Sequence, residues 1–274
     1  MKKILSVFYA FIKKDLSEEL SYKFDFILRY SGMFVHIIMF WGISKFLGES
    51  MNSETMRLWF GGKDYFSYVL IGIAFQGLLH TGLYSFSSSI SDAQTKGTLE
   101  AIILTPTSTS LIIIASSLWK FSYMTIRIFL YILIGLVLGA KLVSSQIPSA
   151  LIFLVLTILA YSSIGIISAS FIMVFKKGNP INVIFGFMGS TIFGGMYFPP
   201  EKMPLFLSWF SNLLPIYHSL KGMRGALLMN KSIIEMRDSA LFLIGFVAIF
   251  LPLSVYCFKY AVEKAKEHGS LTHY

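Results

Sequence analysis

Charged residues are scarce in this chain. Only 14% of its 274 residues are Asp, Glu, Lys or Arg, whereas 55% are hydrophobic and the mean hydropathy is +0.69. A water-soluble domain of this length needs a more strongly charged surface, so the composition excludes that class and predicts a membrane protein. Acidic residues are the scarcer sign, which leaves a formal net charge of +9. The Lys and Arg residues cluster at the ends of apolar runs, which indicates contact with anionic lipids rather than with nucleic acid.

Residues that carry enzyme chemistry are also missing. Cys257 is the single cysteine, which excludes an internal disulfide framework and any cysteine-rich metal site. The chain has no HExxH or CxxC motif, and no predicted span holds a pair of carboxylates. The Gly-Lys pair at Gly62 and Lys63 is followed by Asp64, which excludes the GxxxxGK[ST] phosphate loop of ATP-binding proteins. We therefore expect no catalytic residue, no metal site and no cofactor in this chain.

Six apolar tracts are each close to the ~20 residues that a helix needs to cross the hydrocarbon core of a bilayer. They predict an all-α membrane protein, a single transmembrane domain over residues 1–274 with both termini on one side. Residues 1–23 precede the spans and form an amphipathic pattern, which predicts a helix lying in the membrane interface. The predicted spans are 26–47, 65–86, 119–139, 149–175, 181–198 and 240–260.

A polar stretch over residues 91–110 separates the second and third predicted spans. Gly97 breaks a helix that enters from the membrane, and Thr98 is a suitable cap for a new one. Pro106 disfavours helix at the residue before it, so the new helix should end there. The stretch therefore predicts a short amphipathic helix over residues 98–104. From the residues alone, an ordinary interfacial loop is the alternative.

Prolines punctuate a second irregular region, residues 199–229. Its two short segments, 203–214 and 216–229, mix aromatic with polar residues and are too short to cross the membrane. We predict that they re-enter the membrane, which requires protein to cover their interrupted backbone; a surface loop is the alternative. The residues that mark this region are Tyr197, Phe198, Pro199, Pro200, Pro204 and Pro215.

A few polar residues fall within the predicted spans. Gln76 and His80 are four residues apart and share one face of the second span. Arg127 lies deep in the third span, where no acidic residue can neutralise it, whereas Lys120 is close enough to the span end to reach the headgroups. These positions predict either a translocation path through Gln76, His80 and Arg127 or ordinary hydrogen bonds between helices. A GxxxG pattern later in the third span is compatible with close helix packing.

Two of these regions carry a family resemblance. The segment GTLEAIILTP, residues 97–106, resembles the cytosolic segment between spans two and three of ABC-2 permeases, the membrane subunits of bacterial ABC exporters. The block from Gly194 through the Tyr-Phe-Pro-Pro sequence to Pro215 and Arg224 resembles the stretch between spans five and six of the same family. The order and spacing of the two blocks match the family, and the six-span pattern covers nearly the whole chain.

The resemblance implies a permease that dimerises, or pairs with a homologous permease, and binds two separately encoded ABC ATPase subunits carrying ATP and Mg²⁺. It implies an exporter of an amphipathic, lipid-linked or drug-like substrate in the bacterial plasma membrane. A modest Lys and Arg bias also places both termini in the cytosol. A secondary transporter or channel without an ATPase is the alternative. Residues implied in ATPase coupling are Gly97, Thr98, Leu99, Glu100, Ile102, Ile103 and Pro106, with Leu99, Ile102 and Ile103 as the apolar contact.

Overall fold

The computed structural model of the chain describes residues 2–21, 23–50, 59–60, 64–105, 109–175, 180–186 and 193–267. This described part is helical and contains no strand. A 3₁₀ turn over Pro200–Lys202 lies between the seventh and eighth helices. The α-helices are α1 (Lys2–Ser21), α2 (Lys23–Ser50), α3 (Tyr65–Thr95), α4 (Leu99–Ile103), α5 (Thr109–Val137), α6 (Ile147–Phe175), α7 (Pro180–Val183), α8 (Leu205–Asn212), α9 (Pro215–Met229) and α10 (Arg237–Glu267).

Five helices of the described part are long and apolar enough to cross a membrane, so the chain is a multi-pass membrane protein. The qualifying segments are Tyr30–Gly48, Tyr65–Thr95, Ser117–Val137, Ile147–Phe175 and Arg237–Glu267. They correspond to the first, second, third, fourth and sixth predicted spans.

The predicted fifth span, 181–198, is described only at its two ends. It begins with α7 and continues as a π-helical turn over residues 184–186, while residues 187–192 lie outside the described residues. Residues 193–199 are not helical. Gly195 has a φ of +70°, outside the helical range, so helix does not continue to Phe198 as the sequence predicts.

The centre of the molecule is formed by α3 and α6. Residues 65–75 of α3 are buried on every side, as expected for a helix surrounded by other helices. Close approach of the two helices depends on Gly82 and Gly165, because a Cβ atom on Gly165 would overlap the carbonyl oxygen of Gly82. Helices α5, α9 and α10 surround this pair, and α2 packs on α3. The helices α2, α5 and α10 leave large apolar side chains exposed, which suits contact with lipid or another subunit.

Glycines end two of the long helices by the same arrangement. Helix α3 runs to Thr95, beyond its predicted end at residue 86, and stops where Gly97 adopts a φ of +67°. The Thr98 N–H then donates to the Ala93 carbonyl at 2.9 Å, and the Gly97 N–H to Gln94 at 3.1 Å, a Schellman motif. Gly139, at φ +95°, ends α5 in the same way.

The GxxxG pattern of the third span is therefore not a packing motif. Gly139 lies past the end of α5, and only Gly135 is within the helix, where its missing side chain leaves room for Leu70 of α3. Helix α5 begins at Thr109, eight residues before the candidate span Ser117–Val137, and this span agrees with the predicted one, 119–139. The predicted interfacial segment, now α1, packs against α5.

Candidate functional site

The short helix α4 lies in the chain between two long membrane helices, α3 and α5. It begins at Leu99, whose side chain is 2% exposed. Leu99 lies in an apolar cluster that joins residues of α3, α6 and α10. This cluster, which we call the α4 cluster, contains Phe86, Ile90, Ala93, Leu99, Ile166, Ala169, Met173, Phe258, Ala261, Val262 and Ala265.

Burial of Leu99 corrects the predicted contact surface of this helix. The Leu99 side chain is enclosed by the permease itself, so the prediction that it contacts a partner protein directly is wrong. Ile102 is partly buried against the same cluster. The outward face instead presents Glu100, Ala101 and Leu104, of which Leu104 is 73% exposed.

Two further predictions for this segment have different outcomes. Thr98 occupies the position before α4, but its hydroxyl donates to the Ala93 carbonyl at 3.4 Å and does not cap the helix. The predicted side-chain cap is therefore wrong, because the end of α3 uses this hydroxyl instead. Pro106 and the side chain of Ile103 lie outside the described residues, so their roles stay predictions.

At the other end of the molecule, Arg224 of α9 holds the non-helical segment that precedes the 3₁₀ turn. Its guanidinium donates from Nη1 to the Gly195 carbonyl at 2.6 Å and from Nη2 to the Met196 carbonyl at 2.8 Å. Nε donates to the carbonyl of Tyr68 in α3 at 3.2 Å. Arg224 is only 6% exposed, so these bonds replace its hydration. We call this group, Arg224 with Tyr68, Gly195 and Met196, the Arg224 clasp.

The aromatic ring of Tyr68 completes the clasp. The guanidinium carbon of Arg224 lies 3.5 Å from the centre of that ring, a close cation–π contact, and the Tyr68 hydroxyl donates to the Gly195 carbonyl at 3.2 Å. Burial lowers the pKa of Arg224, but an arginine at a site that offers only acceptors stays protonated. Gly72 allows the segment to approach α3, since a Cβ atom there would overlap the Met196 carbonyl oxygen.

A cavity of about 430 Å³ lies over the clasp. On its wall, the Tyr217 hydroxyl donates to Glu201 Oε1 at 2.7 Å, and the Lys221 ammonium lies 3.5 Å from the same hydroxyl. Burial, together with the Glu201 carboxylate, raises the pKa of Tyr217, so it remains a neutral donor. Pro199 and Pro200 also line this cavity. Pro199 and Pro200 thus lie beside Arg224, which the sequence analysis identified only through the family resemblance.

The predicted path residues lie on two different helices. Gln76 accepts a 3.4 Å hydrogen bond from the Tyr197 hydroxyl, and His80, on the same face of α3, stacks on Tyr84 with ring centres 4.3 Å apart. Arg127 of α5 lies with its guanidinium 6.0 Å from the ring centre of Tyr123 on its own helix. The structure therefore joins Gln76 to Tyr197, and it does not show a contact between Arg127 and the Gln76 face in the part of the chain it describes.

Lys120 has hydrogen-bond partners within the protein that the sequence did not predict. Its ammonium is half-buried and donates to the Ser85 carbonyl at 3.1 Å and to the hydroxyls of Ser88 at 2.9 Å and Ser89 at 3.1 Å. The serine-rich end of α3 supplies these acceptors. The lysine is therefore hydrogen-bonded within the protein although it lies in a candidate span. Lys120 thus ties α5 to α3 close to the point where α4 connects them.

Comparison with known proteins gives one match. The family model for the ABC-2 type transporter matches residues 4–228, which includes α4, the clasp and all but the last spanning helix. No curated protein matches the chain. In this family the membrane subunit provides transport and is not itself catalytic, and it associates with an ABC ATPase subunit. The chain belongs to the ABC-2 type transporter family and is a membrane component of an ABC transporter.

Proposed function

We propose that this chain is the permease of an ATP-driven exporter that moves an amphipathic, lipid-linked or drug-like substrate out of the cytosol. Two copies of a separate ATPase subunit, which bind ATP and Mg²⁺, dock at α4, and a second permease copy or a homologous permease completes the transporter. The protein lies in a bacterial plasma membrane with both termini cytosolic. The observation that carries the proposal is the burial of Leu99 among three membrane helices.

This burial gives a physical route for the coupling. A partner that moves α4 displaces Leu99, which is buried against the other side chains of the α4 cluster. The displacement is therefore transmitted to α3, α6 and α10, which supply the rest of the cluster. The partner itself contacts the outward face, Glu100 and Leu104. The shift of α3 also reaches α5, because the Lys120 hydrogen bonds join these two helices.

The proposed path for the substrate follows Gln76, His80 and Arg127 and ends beside the region of residues 199–229. Exposure of α8 supports the proposed re-entry of this region into the membrane. Leu205 is 91% exposed and Trp209 61% exposed, and an apolar face of this size is typical of a helix that contacts lipid.

Two variants of α4 separate docking from coupling. Glu100→Lys combined with Leu104→Ala alters only the exposed face, and losing one well-placed contact costs more than ~1 kcal/mol, about fivefold in affinity. We expect this variant to lose the ATPase in affinity purification from detergent. Leu99→Ala leaves the exposed face intact, so the ATPase should still copurify while ATP-dependent transport falls.

Ile234→Ala is the matched control, since Ile234 is 77% exposed and lies in the turn before α10, away from α4. It should leave both copurification and transport unchanged. If the Glu100 and Leu104 variant still copurifies the ATPase at the wild-type level and transports normally, α4 is only a connector. A protein that transports without any ATPase would favour the channel or secondary-transporter alternative.

A further inference from the structure

A second cleft, separate from α4 and from the Arg224 clasp, lies where α2, α3 and α5 meet. It has a volume of about 420 Å³, and its lining includes Trp41, Lys45, Asp64 and Lys141. Asp64 and Phe66 place it at the first turn of α3, whereas α4 follows the last turn of the same helix. Since α3 has 31 residues, the cleft and α4 are about 45 Å apart, on opposite sides of the membrane.

The ends of three candidate spans define the depth of this cleft. The first span ends at Gly48, which lines the cleft, and the span in α5 ends at Val137, one residue before the lining residue Leu138. The span in α3 begins at Tyr65, between two lining residues. A tryptophan at the same level is typical of the membrane interface. The cleft therefore lies at the depth of the lipid headgroups.

Hydrogen bonds fix the backbone around the cleft. The indole Nε1 of Trp41 donates to the Leu138 carbonyl at 3.0 Å, which ties α2 to the end of α5. The backbone N–H of Lys141 donates to the Ser67 hydroxyl at 2.8 Å, and this hydroxyl donates in turn to the Asp64 carboxylate. Lys141, and Lys45 one turn beyond Trp41, therefore extend from a rigid frame.

Charge decides which ligand this frame suits. The Asp64 carboxylate is already engaged, because it accepts the N–H and the hydroxyl of Ser67 as the cap of α3. The Lys45 ammonium lies 5.7 Å from the Trp41 ring centre. Among the described residues, neither Lys45 nor Lys141 takes part in an ion pair. Two ammonium groups and one occupied carboxylate leave the cleft with a net positive charge that favours an anion.

We propose that this cleft binds the phosphate of an anionic phospholipid headgroup. Free phosphate has the same anionic chemistry, but the cleft opens beside the apolar side of α2, where Phe46 is 68% exposed and acyl chains would lie. The bound lipid fastens α2, whose span is mostly exposed, to α3 and α5. This site does not depend on the proposed export function.

Native mass spectrometry of the detergent-purified protein tests the site by counting bound lipids. Phosphatidylglycerol should bind more tightly than phosphatidylcholine with the same acyl chains. Each lysine near an anionic lipid contributes about 1 kcal/mol, so Lys45→Gln with Lys141→Gln should weaken phosphatidylglycerol binding about thirtyfold. Asp64→Asn should tighten it about fivefold, because asparagine keeps the helix cap and removes the negative charge.

Lys202→Gln with Lys231→Gln is the matched control, which removes two positive charges at the Arg224 cavity and should not change binding at this cleft. Equal binding of the two lipids, or unchanged phosphatidylglycerol binding in the Lys45 and Lys141 variant, would overturn the proposal. Displacement of the lipid by inorganic phosphate at the same concentration would also overturn it, in favour of a free-anion site. Because the Asp64 variant must shift affinity in the opposite direction, a general loss of folding cannot imitate the expected result.

Discussion

Replacing Arg224 by methionine should destabilise the protein, because the Met196 carbonyl would remain buried without its donor. The Gly195 carbonyl would keep only the bond from the Tyr68 hydroxyl. An unsatisfied buried acceptor costs about 1–3 kcal/mol, and Met196 would lose the guanidinium bond at 2.8 Å. Loss of the cation–π contact with Tyr68 adds about 1–2 kcal/mol. The substitution also removes the free-energy cost of burying a charged guanidinium, which offsets part of the loss in stability. We expect Arg224→Met to lower the free energy of unfolding by about 3 kcal/mol.

Unfolding in mixed detergent micelles, followed by circular dichroism, measures this loss. Arg224→Lys should lose about 2 kcal/mol, since one ammonium cannot donate in the three directions that the guanidinium fork covers. Tyr68→Phe is the conservative control, which keeps the ring and removes only the 3.2 Å bond to Gly195, at a cost of about 1 kcal/mol. The reasoning is refuted if Arg224→Met unfolds within about 0.5 kcal/mol of the wild type, the range of an ordinary surface substitution.

Three further predictions concern other parts of the fold. Gly165→Ala should cost about 1–3 kcal/mol in the same unfolding assay, because the added methyl overlaps α3, whereas Gly245→Ala, with open space around it, should be neutral or slightly stabilising. Lys120→Met should cost about 1.5–3 kcal/mol through loss of the charged hydrogen bonds to α3; no loss would mean that the lysine is solvated. In a cysteine-free background, an impermeant thiol reagent added outside cells should label Lys231→Cys and not Lys96→Cys, and the reverse pattern would contradict cytosolic termini.

Much of the membrane architecture could be predicted from the sequence. Apolar length alone determines which segments can cross a bilayer, because every backbone polar group in lipid must be satisfied within a helix. The predicted spans 65–86, 149–175 and 240–260 accordingly fall within α3, α6 and α10. Helix ends were less predictable. Gly97 was identified as a helix breaker, but the helix it ends continues nine residues past the predicted end of the span, through the mostly polar residues 87–95.

Side-chain partners were decided only by the tertiary structure. The period of α4 indicates one apolar face, but not whether that face contacts a partner or the permease. Burial of Leu99 in the α4 cluster shows that it faces inward. In the same way, the sequence shows Arg224 only as one of several basic residues in its region. Its partners become evident only in the fold, which brings α3, α9 and residues 195–196 together.

The sequence by itself determined that this protein crosses the membrane repeatedly and has a short amphipathic helix between two of its spans. Both properties follow from local composition and periodicity, which any segment carries without its neighbours. The tertiary structure decided that Leu99 anchors this helix, that Lys120 is satisfied by α3, and that Arg224 holds the region before the 3₁₀ turn. These three contacts join residues that are distant in sequence. A buried charge is stable only where the fold supplies its hydrogen-bond acceptors.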